Sequence, residues 1–496
     1  MLENNFQQQE FVDFYLPFGG KLKKENRWVK LAEKVPWDII EDCYSESLSS
    51  SNMGAPALSS RIAYGALIIK ERLGVTDEET VEQLSESPYL QYFVGLSEFK
   101  DKALFDPSMM VHFRSRFSQE HHRRINNAII QRATESEEDD DGDNGSATPG
   151  HKGKLLIDAT CTPADITYPT DLKLLNEARE KTERYIDEIH GYLKRLGKHE
   201  GKKPRTYRER ARKDYLNIAK LKKCSKSKRR AAIRKQLNYL GRNLSHIEAM
   251  VSKERGLLKV LDAYHYKCLL VIHTLYEQQL QMFESRSNQV ADRIVSISQP
   301  HVRPIVRGKA SSKVEFGAKV SISVLAEGYV TVDNLKWDAY NETVDLVGQV
   351  ENYKVRFGYY PESVHADKLY QSRTNRKYCK ELGIRLTGKP LGRPKKRTEE
   401  NKQEFDTEQK QRRQDEIDRI PVEGKFGNVK RKGTLQRIMA KLAHTAESVI
   451  HVGFVVLNLE KWLRLELLVF VLELKIIRRE IFINLIGPQM GRKCLA

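Results

Sequence analysis

The sequence predicts a multidomain α+β protein: a helical N-terminal part, then an α/β core that a long helical stretch interrupts. Three observations carry this. Lys154 to Ala159 (KLLIDA) and Glu362 to Asp367 (ESVHAD) are short apolar runs whose strands are expected to end on an acid, Asp158 and Asp367, and Val314 to Leu325 alternates, so all three read as strands. Between the first strand and the others, Asp171 to Ser287 keeps a helical period. The 496 residues also exceed one ordinary core, since a single domain runs to roughly 100–200 residues.

The elements follow in order. From Ser59 to Ser118 the pattern is helical, with Ile62, Leu67, Ile68 and Ile69 on an apolar face and Ser59-Ser60 as caps. Thr76 and Glu79 stand at capping-box spacing, and Asp106-Pro107 opens a short helix containing Met109, Met110, Phe113 and Phe117. Such a run suits a helix-turn-helix reader of DNA and, equally, a plain helical bundle. Residues 1–133 are expected to form this N-terminal DNA-binding part. The acidic run Glu135 to Gly145 has nothing to bury and makes 134–153 a linker. Its acids match no calcium loop.

The first part of the core is expected at 154–170, a basic helical insertion at 171–290, and the second part of the core at 291–387. In that second part Ile294, Val295 and Ile297 have a β period, Asn341 to Phe357 and Ser372 to Leu382 are helical, and Ile384-Arg385-Leu386 is a short strand. Gly388 to Asp418 is a charged connector of low hydrophobicity. A C-terminal helical region follows at 419–464, where Leu435, Ile438, Met439, Leu442, Ala446 and Val449 mark one face, and a tail at 465–496.

The charge is uneven. Lys and Arg number 85 against 67 Asp and Glu, a net +18, and 40% hydrophobic residues exclude wholesale disorder. Between Lys194 and Lys235, 19 Lys and Arg face only Glu200, Glu209 and Asp214, with Tyr207 and Tyr215 interleaved and Tyr239 just beyond. Leu237, Leu240, Leu244 and Ile247 give that region an apolar face, so the cations decorate folded helices and suit a phosphate backbone. The six cysteines form no C-x-x-C, which points to reduced thiols rather than a disulfide or zinc scaffold. Met1 to Glu10 is no signal peptide, and charges interrupt the apolar tract Ser448 to Leu485, so no membrane span is expected and the protein is read as cytoplasmic. His121-His122 and His444 with His451 lack metal-ligand company. A phosphate-loop GxxxxGK[ST] and a G-x-S-x-G elbow are both absent, which argues against ATP use and serine-hydrolase chemistry.

Two acids at strand ends, Asp158 and Asp367, can meet in the crevice of an α/β sheet. The candidate third acid is Glu423. If Pro421 opens a helix, Arg419 and Glu423 are four apart and Lys430 lies two turns on, all on one face. Gly424 and Gly427 weaken that helix but admit another backbone closely. Asp165 and Asp171 are competing acids that serve equally well as turn or cap residues.

These residues resemble those of the DDE insertion-sequence transposases, of the bacterial type with a ribonuclease-H-like catalytic domain. "LLIDAT" resembles the strand of the first Asp, "HADKLYQSRTNRKYCKELGIRLTG" the segment of the second, and Ser59–Ser118 the N-terminal transposase domain. Arg419, Glu423 and Lys430 match the Arg-x3-Glu-x6-Lys signature, although Glu416 stands where that signature has Tyr. The resemblance implies DNA cleavage and strand transfer, with Asp158, Asp367 and Glu423 holding two Mg²⁺ ions, or Mn²⁺ in their place. It also implies that Arg419 and Lys430 contact phosphates near the cut. The partners implied are double-stranded DNA, as element terminal inverted repeats and target, and a second copy in a homodimer, in a bacterial cytoplasm at the nucleoid. Arg393, in Gly392-Arg393-Pro394-Lys395-Lys396, resembles the Arg of an AT-hook that enters a narrow minor groove, but Leu391 precedes the Gly and favours a basic linker. Two other readings remain: a non-catalytic DNA-binding protein derived from a transposase, and a ribonuclease-H-like nuclease without strand transfer.

Overall fold

Helices open the chain and a sheet follows. The computed structural model describes residues 14–16, 20–48, 56–138, 151–197, 202–253, 255–306, 314–388, 398 and 401–490. Before the first strand come α1 (Arg27–Lys34), α2 (Trp37–Glu46), α3 (Ser60–Leu73), α4 (Asp77–Glu86), α5 (Pro88–Phe93), α6 (Met109–Arg116) and α7 (Gln119–Glu138). The expected caps form: Ser59 Oγ accepts from the Ile62 N–H and Thr76 Oγ1 from the Glu79 N–H. The helix expected from Asp106-Pro107 starts later, at Met109, because Asp106 Oδ1 holds the N–H and O–H of Ser108 in a turn. Most of the acidic linker, residues 139–150, lies outside the described residues, as do Met1 to Glu10 and Cys494.

After β1 (Lys154–Pro163) come four helices, α8 (Asp171–Arg195), α9 (Arg208–Ala219), α10 (Lys226–Lys253) and α11 (Ala263–Ser285). They enclose a core of their own, built on Leu175, Ile186, Leu240, Ile272 and Leu275. Within it Arg179 is buried and satisfied by Asn176, Glu183 and Gln236, which is how a charge survives there. The β period at Ile294 to Ile297 is not a strand. Ile294 and Ile297 pack into this helical core instead, and Val295 packs with Ala164 and Val302.

The remaining elements are β2 (Arg303–Val306), β3 (Val314–Val324), β4 (Val330–Lys336), α12 (Asp345–Phe357), β5 (Ser363–His365), α13 (Arg373–Glu381), β6 (Arg385–Leu386), α14 (Lys402–Lys432) and α15 (Ala443–Met490). Together they give a mixed α+β architecture with one six-stranded sheet. Strand β3 pairs antiparallel with β1, β2 and β4, while β1 pairs parallel with β5 and β5 parallel with β6. Successive β1 residues face opposite ways, so Leu155 and Ile157 pack with Leu346 and Val350 of α12, and Leu156 packs with Val422 and Val429 of α14.

Two expectations change here. The charged connector is helical from Lys402 onward, because long charged residues are good helix formers and pair four apart: Glu408 with Arg412, Gln411 with Asp415, Gln414 with Asp418. Pro421 therefore sits inside a helix rather than at its start. The C-terminal region is also not a separate unit. Val452, Val455 and Leu459 of α15 belong to the core of α1 to α7, while Val449, Ile450 and Phe454 pack on the sheet. A helix apolar on both sides is what burial between two layers requires.

A histidine stack sits at that junction. His122 and His451 lie 5.4 Å apart at 4°, and His122 bonds Tyr64 Oη and Ser448 Oγ, both at 3.0 Å. Burial pushes both imidazoles down, His451 to about 3 with the Arg123 charge adding, and His122 further lowered by His451. Both are neutral in the folded protein near neutral pH. The unfolded chain takes up these protons near 6.5, so stability is full above that pH and falls as pH drops toward about 3. Thermal melts at about pH 7 and pH 5 are expected to show this loss, and His451→Phe to shrink it.

Candidate active site

Strand register aligns the residues that precede the two aspartates. Leu156 of β1 lies beside His365 of the parallel strand β5, and Asp158 and Asp367 are each two residues further on. Asp158 shares the strand face of Leu156, toward α14. Its Oδ1 accepts from the Ala159 N–H at 2.8 Å, and its Oδ2 lies 3.9 Å from Arg419 Nη1. Arg419 Nη2 in turn lies 3.4 Å from Glu423 Oε1, as the spacing of four predicted. One guanidinium thus bridges two carboxylates from distant parts of the chain. Asp367 is exposed and caps a 3-10 turn, its Oδ1 accepting from the Lys368 N–H at 2.6 Å.

Lys430 is directed at the sheet, where its Nζ donates to Thr160 Oγ1 at 2.9 Å and to the Cys161 carbonyl at 2.7 Å. It fastens α14 to β1. Arg393 lies outside the described residues. Tyr370, three residues after Asp367, was not foreseen. Burial raises its hydroxyl, and the nearby Asp158 charge adds to this, so it stays protonated.

A second cluster anchors α14 one turn earlier, and no motif in the sequence announces it. Ligand atoms of His365, Asp415 and Asp418 lie within 4.8 Å of one another, a set close enough to hold a metal. Each acid already has a cation, however. Asp415 takes both oxygens to Arg385 at 2.8 and 2.9 Å, and Lys154 reaches Asp418 at 2.5 Å and holds its carboxyl below the ordinary value. His365 Nε2 bonds Ser363 Oγ at 3.0 Å, and burial holds the ring neutral. With its charges met internally, the cluster acts as a clamp that docks α14 on β1, β5 and β6. At the helix's other end Glu71 of α3, fully buried, accepts from Thr434.

Two parts of the chain match known families. Residues 17–116 match the family described as Transposase domain (DUF772), and residues 364–460 match the Transposase DDE domain. The first spans α1 to α6; the second spans Asp367, Arg419, Glu423 and Lys430. Both matches indicate a transposase, a class that acts on DNA and generally uses a divalent metal. The resemblance to the DDE insertion-sequence transposases is borne out by them. An uncharacterized protein, ORF8 in the nfe locus of Rhizobium meliloti, is 27% identical over 183 residues, which are 36% of this chain and 84% of that protein. No solved structure matches the chain. Among the described residues no helix is long and apolar enough to cross a membrane.

Proposed function

We propose that this transposase cleaves DNA at the ends of an insertion element and joins them to target DNA, using Asp158, Asp367 and Glu423 as ligands for two Mg²⁺ ions. The observation that carries this is the bridge of Asp158, Arg419 and Glu423, with Asp367 two residues past the end of β5, the strand that runs parallel beside β1. A ribonuclease-H-like core is supported by β3 running antiparallel to β1 on one side while β5 and β6 run parallel to it on the other.

The donor set suits the ions. Three carboxylates are hard oxygen ligands, and Glu423 at 68% and Asp158 at 22% side-chain exposure leave room for phosphate and water. Two ions held there would supply activation of the attacking oxygen and stabilisation of the leaving oxygen in an in-line displacement. Arg419 offsets the repulsion between the acids and offers a planar, two-pronged contact to a phosphate. Lys430 and the His365 clamp fix how far α14 stands from β1. Residues 1–133 read as the part that binds element ends, 171–290 as a basic insertion that grips DNA backbone, and the paired ends of an element imply a homodimer.

The test uses the full chain, Mg²⁺, a duplex carrying the inverted repeats that flank its gene, and a labelled target duplex. Joined products are the expected result, and EDTA should abolish them. Cut ends that are never joined would make it a nuclease without strand transfer. Binding without cutting would make it a DNA-binding protein only.

A further inference from the structure

A cavity where α7, β4 and the end of α12 meet has no part in the reading above. It holds about 1160 Å³, and no residue of α14, nor Asp158 or Asp367, lines it. Along α7 it runs from Glu120 to Glu135, which at 1.5 Å per residue makes a groove about 22 Å long. Three of its acids are met within the protein. Glu120 lies 3.5 Å from Arg123 Nη1, Glu135 accepts from Gln131 at 2.9 Å, and Asp333 accepts from Gln349 at 3.0 Å.

Three side-chain atoms of the lining residues are buried with no hydrogen-bond partner among the described residues: Arg123 Nε, Glu327 Oε2 and His451 Nε2. Orphans of this kind destabilise a fold, and three at one cavity call for a partner from outside. They are of both kinds. The guanidinium Nε–H can only donate and the carboxylate oxygen can only accept. An anion would suit the first and be repelled by the second, and a cation the reverse. A nucleobase edge carries donors and acceptors side by side and answers both. The floor is recessed, since His451 is 3% exposed, so a base reaches it only when free of its complement. Phe357 and Tyr359, which also line the cavity, hold their rings 6.0 Å apart at 25°, and such faces stack bases. Arg356 donates to Asn127 Oδ1 at 2.6 Å and pairs with no carboxylate among the described residues. With the exposed Lys152 it leaves two cations for phosphates.

We propose that this cavity binds unpaired bases of a single DNA strand. Arg123 and Glu327 meet base edges, Phe357 and Tyr359 stack, and Arg356 and Lys152 hold the backbone. At 3.4 Å per stacked nucleotide the groove takes about six. This contact differs in kind from that of the basic insertion. Cations on an exposed turn meet any phosphate backbone, whereas the groove admits only bases that have lost their partners.

The experiment irradiates the full chain, without Mg²⁺, beside a single strand of about twelve nucleotides containing 5-iododeoxyuridine, at about 0.3 M salt, where backbone contacts count least. Peptide mass spectrometry locates the cross-links. They are expected at Phe357 or Tyr359, and a fully paired duplex of the same sequence should not compete at equal concentration. Glu327→Met is expected to weaken strand binding about tenfold, the worth of one lost base contact. The same change should leave the melting temperature undiminished, because it removes a buried oxygen that lacks a partner. Asp158→Ala should cross-link like the unaltered chain, which separates a failure here from a failure of the metal site. Cross-links confined to other residues, competition by the duplex, or undiminished binding by Glu327→Met would overturn the proposal and leave the cavity to water. Equal labelling by free 5-iododeoxyuridine monophosphate would overturn the strand and leave a site for single nucleotides.

Discussion

Asp158→Ala is expected to lower Mg²⁺-dependent DNA cleavage by about a thousandfold or more while DNA affinity stays near that of the unaltered chain, because a metal ligand supplies several kcal/mol of transition-state stabilisation and each 1.36 kcal/mol is tenfold. Asp158 projects from the middle of β1 toward α14, and its removal leaves Arg419 paired with Glu423 alone. Asp367→Ala and Glu423→Ala should behave alike, since both groups are exposed and neither carries the fold. Exposed pairs contribute at most about 1 kcal/mol, so thermal melts separate lost chemistry from lost folding. Asp165 gives the control. It is held by Arg437 at the exit of β1, and Asp165→Ala should cut DNA at the original rate. Single-turnover cleavage of an end-labelled duplex, with a gel shift for affinity, makes the measurement. A variant of Asp158, Asp367 or Glu423 that still cuts at the original rate removes that residue from the site.

Part of the candidate site's geometry was legible because it rests on local patterns. An apolar run beside an acid identified β1 and β5, but neither strand ends on its acid: β1 runs on to Pro163, which leaves Asp158 in mid-strand, and β5 stops at His365, two residues before Asp367. The spacing of Arg419 and Glu423 needed only a helix, so it survived the error over where that helix begins. That error had a physical source. Proline ends helices by removing a donor and crowding the carbonyl four residues back. Here Pro421 and Ile417 are both exposed, so water can satisfy the freed Ile417 carbonyl and α14 runs on. The clamp of His365, Asp415 and Asp418 with Arg385 and Lys154 was illegible for another reason. Its five members come from β1, β5, β6 and α14, and no spacing in sequence links them. The same holds for α15, whose apolar residues serve two cores at once, a division that a single helical period cannot reveal.

The turn between α9 and α10, with the first turn of α10, carries the second large expectation. Lys220, Lys222, Lys223, Lys226, Lys228 and Arg229 are all exposed there and form no ion pair among the described residues. Other cations of the region differ. Arg208 reaches Asp187 at 2.8 Å and Lys235 reaches Asp214 at 2.9 Å, so their charge is partly met within the protein. Each phosphate neutralised releases about 0.9 counterion, so changing all six residues to Gln is expected to flatten the slope of log affinity against log salt by as much as about five. Binding should weaken most at low salt, where released counterions count for most. Folding should hold, because the core beneath is made by Leu237, Leu240 and Ile247 rather than by the cations. Cleavage at saturating DNA should also hold, since the acids and α14 are untouched. A slope that stays the same in the six-Gln variant would take this turn out of DNA contact and leave its charge as a solvated surface.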